Sequence, residues 1–198
     1  MMEVQTIQVG YYAVNCSLLI DGASVYFVDP GFEGERLIEL VRSRGLSPKG
    51  ILLTHAHFDH VGAINTLQKE YPELPVYVHP NDLVVLNHPL NSAPPEYPKI
   101  KAPVNIRDAR ELDFLEVIET PGHTPGGVCY YLKDEKLLLS GDTLFASSIG
   151  RTDFPGGSMS AMMASLKKLA ALPDDTRVIP GHGAFTSIGF EKSTNPYL

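Results

Sequence analysis

Thr54-His55-Ala56-His57-Phe58-Asp59-His60 packs four potential metal ligands into six residues, directly after the apolar run Ile51-Leu52-Leu53. Imidazole and carboxylate together suit zinc and related first-row metals. The spacing carries geometry. His55 and His57 are two apart, so at the end of a strand they point to the same side. Asp59 and His60 follow where the chain must turn, and so can reach a second point in space. Two ligand sets close together describe a two-metal site.

Three more candidates stand downstream. His123 lies in Thr120-Pro121-Gly122-His123-Thr124-Pro125-Gly126, Asp142 in Ser140-Gly141-Asp142-Thr143, and His182 in Ile179-Pro180-Gly181-His182-Gly183. Each follows a strand-like run and sits beside glycine, which lets backbone approach a site closely. Taken singly, a histidine beside glycine reads as a turn, and an Asp before Thr as a cap. The cluster at 55–60 changes that weighting, because four polar ligands after a buried strand have little structural use. Five of the seven histidines belong to this set, leaving out His79 and His88.

The elements that must position these ligands read as α/β. Strands are expected at Val4–Val9, Ser17–Ile20 and Ser24–Val28, with Asp21-Gly22 as a hairpin turn. Gly34–Arg44 reads as a helix with Leu37, Ile38 and Val41 on one face and Gly45 at its stop. Gly50–Leu53 is a strand leading into the ligand cluster. Val61–Tyr71 is expected as one helix, followed by a strand at Pro75–Val78 and a short helix at Asn81–Leu86. The second half offers strands at Phe114–Glu119, Val128–Leu132, Lys136–Leu139 and Arg177–Ile179, and a helix opened by Ser158. The proline-rich segment 88–103 reads as a surface crossover or a lid, from which Tyr97 and Lys99 can reach substrate.

Composition describes an ordinary soluble enzyme. A chain of 198 residues at 43% hydrophobic buries one sizeable core and reads as one domain, 1–198. A net charge of −7 without a basic stripe gives no footprint for nucleic acid. The N-terminus lacks the basic and apolar regions of a signal peptide, and no apolar run approaches membrane-spanning length, so the cytoplasm is the expected compartment. Cys16 and Cys129 form no paired motif and read as buried free thiols.

His55-x-His57-x-Asp59-His60, followed in order by His123, Asp142 and His182, resembles the metallo-β-lactamase superfamily across essentially the whole chain. The resemblance implies an αββα sandwich with the site along one edge. It also implies that His55, His57 and His123 hold one metal, that Asp59, His60 and His182 hold the other, and that Asp142 bridges them. Two zinc ions are the expected cofactors, with iron or manganese as alternatives in either position.

Gly141-Asp142-Thr143-Leu144-Phe145 with Gly150-Arg151-Thr152-Asp153-Phe154 resembles the glyoxalase II group, the hydroxyacylglutathione hydrolases. Only 16 residues follow His182, so the resemblance is to short members without the C-terminal helical domain. It implies a small-molecule thioester substrate, S-D-lactoylglutathione or a related hydroxyacyl thioester, cleaved by a metal-bridging hydroxide that Asp59 orients. Arg151 falls where longer members contact glutathione; its other reading is a solvated charge. The Gly150–Phe154 run is also similar to persulfide dioxygenases, which would use one iron on His57, His123 and Asp142. A metal-binding protein without catalysis is a third reading. Oligomeric state leaves no mark in the sequence.

Overall fold

Alternation along the apolar runs sets the layering of this protein. The computed structural model describes residues 2–91, 94–95, 97 and 101–198. One sheet has six strands in sequence order: β1 (Glu3–Val9), β2 (Val14–Asp21), β3 (Ser24–Val28), β4 (Ser47–Leu52), β5 (Val76–Val78) and β6 (Ile106–Asp108). Its first two pairings are antiparallel and the rest parallel. The second sheet is built from β7 (Glu116–Glu119), β8 (Val128–Leu132), β9 (Leu137–Gly141), β12 (Arg177–Pro180) and β13 (Thr186–Ser187), in the order β13-β12-β9-β8-β7. A small ribbon, β10 (Leu144–Phe145) and β11 (Ser148–Ile149), follows β9.

Successive strand residues face opposite sides, and each sheet uses both. In β2, Leu18 and Ile20 join the outer core while Leu19 faces the other sheet. In β8, Val128, Tyr130 and Leu132 meet that inter-sheet layer, while Cys129 and Tyr131 face outward. The helices cover the two outer faces. α1 (Gly34–Ser43) and α3 (Ile64–Glu70) pack on the first sheet through Leu37, Val41, Ile64 and Leu67. α5 (Met159–Ala170) packs on the second through Met162, Leu166 and Leu169, and α6 (Ile188–Thr194) lies beside it through Ile188. Helix, sheet, sheet and helix make the expected αββα sandwich.

The expected helix Val61–Tyr71 is broken. It divides into α2 (Phe58–Val61) and α3, because Ala63 N–H donates to the carbonyl of Pro30 at 2.9 Å instead of continuing a helical ladder. Gly62 permits that approach: a Cβ there would lie 2.2 Å from the Gly31 carbonyl oxygen. The expected helix at Asn81–Leu86 begins as a tight turn at Pro80–Asp82 and continues as α4 (Leu83–Leu86). β6, β10, β11, β13 and α6 lack a strong apolar pattern and were not expected. Among the described residues, no helix is long and apolar enough to cross a membrane.

Candidate metal centre

Every candidate ligand sits just beyond a strand of the sandwich or on the turn that follows. His55 and His57 follow β4, and Asp59 and His60 lie in α2. His123 follows β7, Asp142 follows β9, and His182 follows β12. The fold brings all seven together. His57 Nδ1 and His123 Nε2 face each other at 2.9 Å, and His60 Nε2 and His182 Nε2 at 3.2 Å. His55, His57 and His123 form one group able to hold a metal ion; Asp59, His60 and His182 form another. Asp142 stands between them. Its Oδ1 lies 3.5 Å from His60 Nε2, and its Oδ2 lies 3.5 Å from His123 Nε2 and 3.6 Å from His182 Nε2.

The outer hydrogen bonds set which ring nitrogen faces inward. His123 Nδ1 donates to the Arg151 carbonyl at 2.7 Å, and His182 Nδ1 to the Tyr12 carbonyl at 2.8 Å. His60 Nδ1 donates to Asp29 at 3.0 Å. Thr54 spends its hydroxyl proton on Asp29 at 2.6 Å, so its oxygen accepts from His55 Nδ1 at 3.1 Å. Four histidines therefore turn Nε2 toward the centre, and His57 alone turns Nδ1. An outer partner of this kind fixes tautomer and ring orientation for a metal.

The donor set fits a metal pair. His55 Nε2 and Asp142 Oδ1 are buried and have no hydrogen-bond partner, a costly condition unless something else satisfies them. A Cβ on Gly181 would lie 2.2 Å from Asp142 Oδ1 and 2.8 Å from the His60 ring, so only a glycine leaves this space open.

Two buried carboxylates outside the expected ligand set build the site. Asp29, at a left-handed φ of 49°, accepts from Thr54 N–H, the Thr54 hydroxyl and His60. It lies close enough to His55 and His60 to count as a third ligand group. With three donors already on it, its role is to orient them. Asp82 accepts from Ala56 N–H at 2.8 Å, Gly126 N–H at 2.6 Å and the Thr124 hydroxyl at 3.0 Å. It thereby ties the loop of His55 and His57 to the loop of His123.

The charges divide unevenly. Burial first, then neighbouring histidines, holds His55 well below the usual imidazole range and His57 down to about 3. Burial also disfavours charge on His60, but Asp142, Asp59 and Asp29 outweigh it and push it up to about 10. Burial would raise Asp59; His60 and His182 overcome this and hold it well below the usual carboxylate range.

A cavity of about 860 Å³ opens onto His57, Asp59, His123, Asp142 and His182. Its walls are largely apolar, with Tyr12, Phe58, Val84, Phe145, Ile149 and Phe154 among them. His88, left out of the ligand set, also lines it. Arg151 lines the cavity too, with its guanidinium paired to Asp153 and stacked 3.9 Å from the Phe154 ring centroid. Tyr97 does not line it. That side chain is buried among Tyr11, Tyr12, Phe32 and Phe58, and its hydroxyl accepts from Tyr12 N–H at 3.3 Å. Lys99 lies outside the described residues.

This combination of sandwich and edge site defines a metal-dependent hydrolase. The sequence profile of the metallo-beta-lactamase superfamily matches residues 9–182, and the chain belongs to that superfamily. It is 39% identical to the probable metallo-hydrolase YqgX of Bacillus subtilis, over 100% of this chain and 98% of that one. It is 36% identical to the hydroxyacylglutathione hydrolase GloC of Haemophilus influenzae, over 100% and 98%. Among solved structures it is similar to BLEG-1, a B3 metallo-beta-lactamase, with a TM-score of 0.89 at 36% identity over 99% of both chains. It is also similar to TTHA1623 in a di-iron-bound form, with a TM-score of 0.85 at 41% identity, over 98% of this chain and 100% of that one.

Proposed function

We propose that this protein hydrolyses a hydroxyacyl thioester, with S-D-lactoylglutathione as the reference substrate, using a pair of divalent metals. The observation that carries the reading is the second ligand group. Asp59, His60 and His182 converge beside His55, His57 and His123, with Asp142 between them. The one-iron reading gives Asp59, His60 and His182 no ligand role. Full-length similarity to GloC supports the thioester as the scissile group. The donors accept zinc or iron, and the di-iron neighbour supports iron as an alternative to zinc.

His55, His57 and His123 would hold one metal, Asp59, His60 and His182 the other, and Asp142 both. Metals so held supply a water of lowered pKa and a Lewis acid for a carbonyl oxygen. The chain's own residues do the rest. Asp59 stands on the cavity wall, 3.2 Å from His182 Nε2, where its carboxylate is an acceptor that orients the attacking water. Thr54, Asp29 and the carbonyls of Tyr12 and Arg151 keep the ring nitrogens aimed. The apolar walls take the substituents of the thioester and keep bulk water out. No serine or cysteine nucleophile is required: both cysteines are buried in the sandwich.

The test is turnover of S-D-lactoylglutathione by metal-replete protein, with His57→Ala as control and metal content measured alongside. Turnover lost in the variant supports the reading. A fully loaded protein that leaves this and other thioesters intact, while consuming oxygen with persulfides, overturns it.

A further inference from the structure

Four histidines of the centre are aimed by an oxygen on the outer ring nitrogen, and His57 is the exception. It turns Nδ1 inward, toward His123, and among the described residues its Nε2 meets no such oxygen. Its ring stands edge-on to those of His55, His123 and Phe154. A ligand without an outer partner is placed only as well as its own backbone. Asn91 grips that backbone on both sides. Its Oδ1 accepts from Phe58 N–H at 2.9 Å, and its Nδ2 donates to the Ala56 carbonyl at 2.8 Å. These groups belong to the two peptide units that flank His57. Phe58 opens α2, and the first N–H groups of a helix have no partner within it; His57, which precedes it, offers no side-chain cap. The amide is needed whole, because a carboxylate of the same shape has nothing to donate to the Ala56 carbonyl.

Asn91 closes the short turn Pro89–Asn91, where its own N–H donates to the His88 carbonyl at 2.9 Å. His88 N–H donates to the Val85 carbonyl at 3.0 Å, so the turn continues from α4. That helix begins directly after Asp82, which accepts from Ala56 N–H. One stretch of chain thus holds Ala56 at its N–H through Asp82 and at its carbonyl through Asn91. From this we infer that Asn91 is the positioning residue of His57, standing in through the backbone for the outer partner that the imidazole lacks. It serves the metal held by His55, His57 and His123. The other group is anchored elsewhere. His60 is held by Asp29, His182 by the Tyr12 carbonyl, and the chain beyond α2 by Ala63 N–H on the Pro30 carbonyl. The inference rests on the two-metal centre of the proposed function and not on the choice of substrate.

Asn91→Leu keeps the bulk of the side chain and removes both bonds. It is tested in two backgrounds, each with one ligand group left whole. His182→Ala keeps His55, His57 and His123; His57→Ala keeps Asp59, His60 and His182. Zinc affinity is read by competition with a chromophoric chelator. In the His182→Ala background Kd is expected to rise about tenfold to hundredfold, the effect of losing a partner that orients a ligand. In the His57→Ala background it should be unchanged, since the residue that Asn91 positions is already gone. Cobalt gives a second readout. The visible bands of cobalt-loaded His182→Ala protein follow the geometry of its donors and should shift when Asn91→Leu is added. Asn91→Ala leaves room for water to take over both bonds, so its loss should be smaller, and it carries the same test if the leucine variant does not fold. Equal losses in the two backgrounds would mark a general destabilisation and overturn the inference, as would an unchanged Kd and spectrum in the His182→Ala background. A native chain that takes up a single metal contradicts the two-metal reading by itself, and the His182→Ala background then still decides the role of Asn91.

Discussion

Gly181→Ala is the sharpest probe of the centre, because it adds one methyl group and removes no ligand. The new Cβ would lie 2.2 Å from Asp142 Oδ1, 2.8 Å from His60 Cε1 and 3.2 Å from the Gly141 carbonyl carbon. Gly181 does not need glycine for its own backbone conformation, so the effect is one of space alone. The backbone is poorly placed to retreat. Gly181 N–H donates to the Gly141 carbonyl at 2.8 Å, and its carbonyl accepts from Asn15 N–H at 2.8 Å. The Asp142 carboxylate must then give way by about 1 Å, a displacement that costs on the order of a hundredfold in rate when it falls on a reacting constellation. Overpacking of this kind costs about 1–3 kcal/mol. Taken from metal affinity, that is a loss of roughly fivefold to 140-fold, at about 1.4 kcal/mol per decade. The assay is metal content by mass spectrometry after dialysis, with kcat and Tm on the same preparation. The variant should hold one metal less per chain and lose most activity while still folding. Two tightly held metals with an unchanged kcat would show that Asp142 does not share the space the glycine keeps open, and the bridging role would fall.

The remaining predictions concern groups that touch no substrate. Asp82→Asn must set an amide NH2 against a backbone N–H of Ala56 or Gly126, where each carboxylate oxygen now accepts. One unsatisfied buried donor costs about 1–3 kcal/mol, or about 2–12 °C in Tm at this chain length, with weaker metal retention by His55, His57 and His123; a Tm and metal content equal to wild type would rule the strut out. Cys16 and Cys129 are buried, and both thiols are pushed up by burial, Cys129 to about 11. Neither should react with a thiol reagent until the protein unfolds. The sign for pH follows from the raised value. Cys129 contributes stability that is present below its ordinary value of 9.0 and lost as pH rises through about 11. Cys129→Ala should therefore show a shallower alkaline fall in denaturation midpoint than wild type; parallel profiles would refute the assignment.

The ligands were legible in the sequence because a metal site demands rare residue types at the ends of strong patterns. His55, His57, Asp59 and His60 follow Ile51-Leu52-Leu53, whose alternation also reports the two faces of β4. His123, Asp142 and His182 were readable through their glycines, and the structure shows a use for two of these: Gly181 leaves room for Asp142 and His60, and Gly141 adopts a positive φ of 49° against Thr54. The orienting residues left weaker traces. Asp29 follows an apolar strand and precedes Pro30-Gly31, a pattern shared with the ligands, but nothing in that pattern says that it accepts from Thr54 and His60. Asp82 left none, since its partners at Ala56, Thr124 and Gly126 are two backbone groups and a hydroxyl far away in the chain. The carbonyls of Tyr12 and Arg151 are invisible for the same reason: any residue supplies one. The break between α2 and α3 escaped detection because it answers to Pro30 and Gly31, not to local helix preference.

These hidden contacts explain why the centre lies at this edge of the sandwich. Apolar packing between the sheets is non-directional and fixes their separation better than their relative slide. Position along the slide needs hydrogen bonds, and here they converge on the ligand loops. Asn15, on β2, donates its side-chain amide to the carbonyls of Pro180 and Gly183 at 2.9 and 3.0 Å, gripping both sides of His182. Val128 N–H, at the start of β8, donates to the Thr54 carbonyl at 2.8 Å, and the Tyr130 hydroxyl donates to the Leu53 carbonyl at 2.7 Å. Each joins the first sheet to the second within a residue or two of a ligand. The same bonds that register the sheets therefore fix His55 and His182 against the opposite sheet. A small slide of one sheet would break them together, so the fold itself preorganises the ligand loops. Preorganisation of this kind is what lets charged groups act without rearranging at the moment of reaction. It also places the weak points of the centre at Asn15, Asp29 and Asp82, outside the set of ligands themselves.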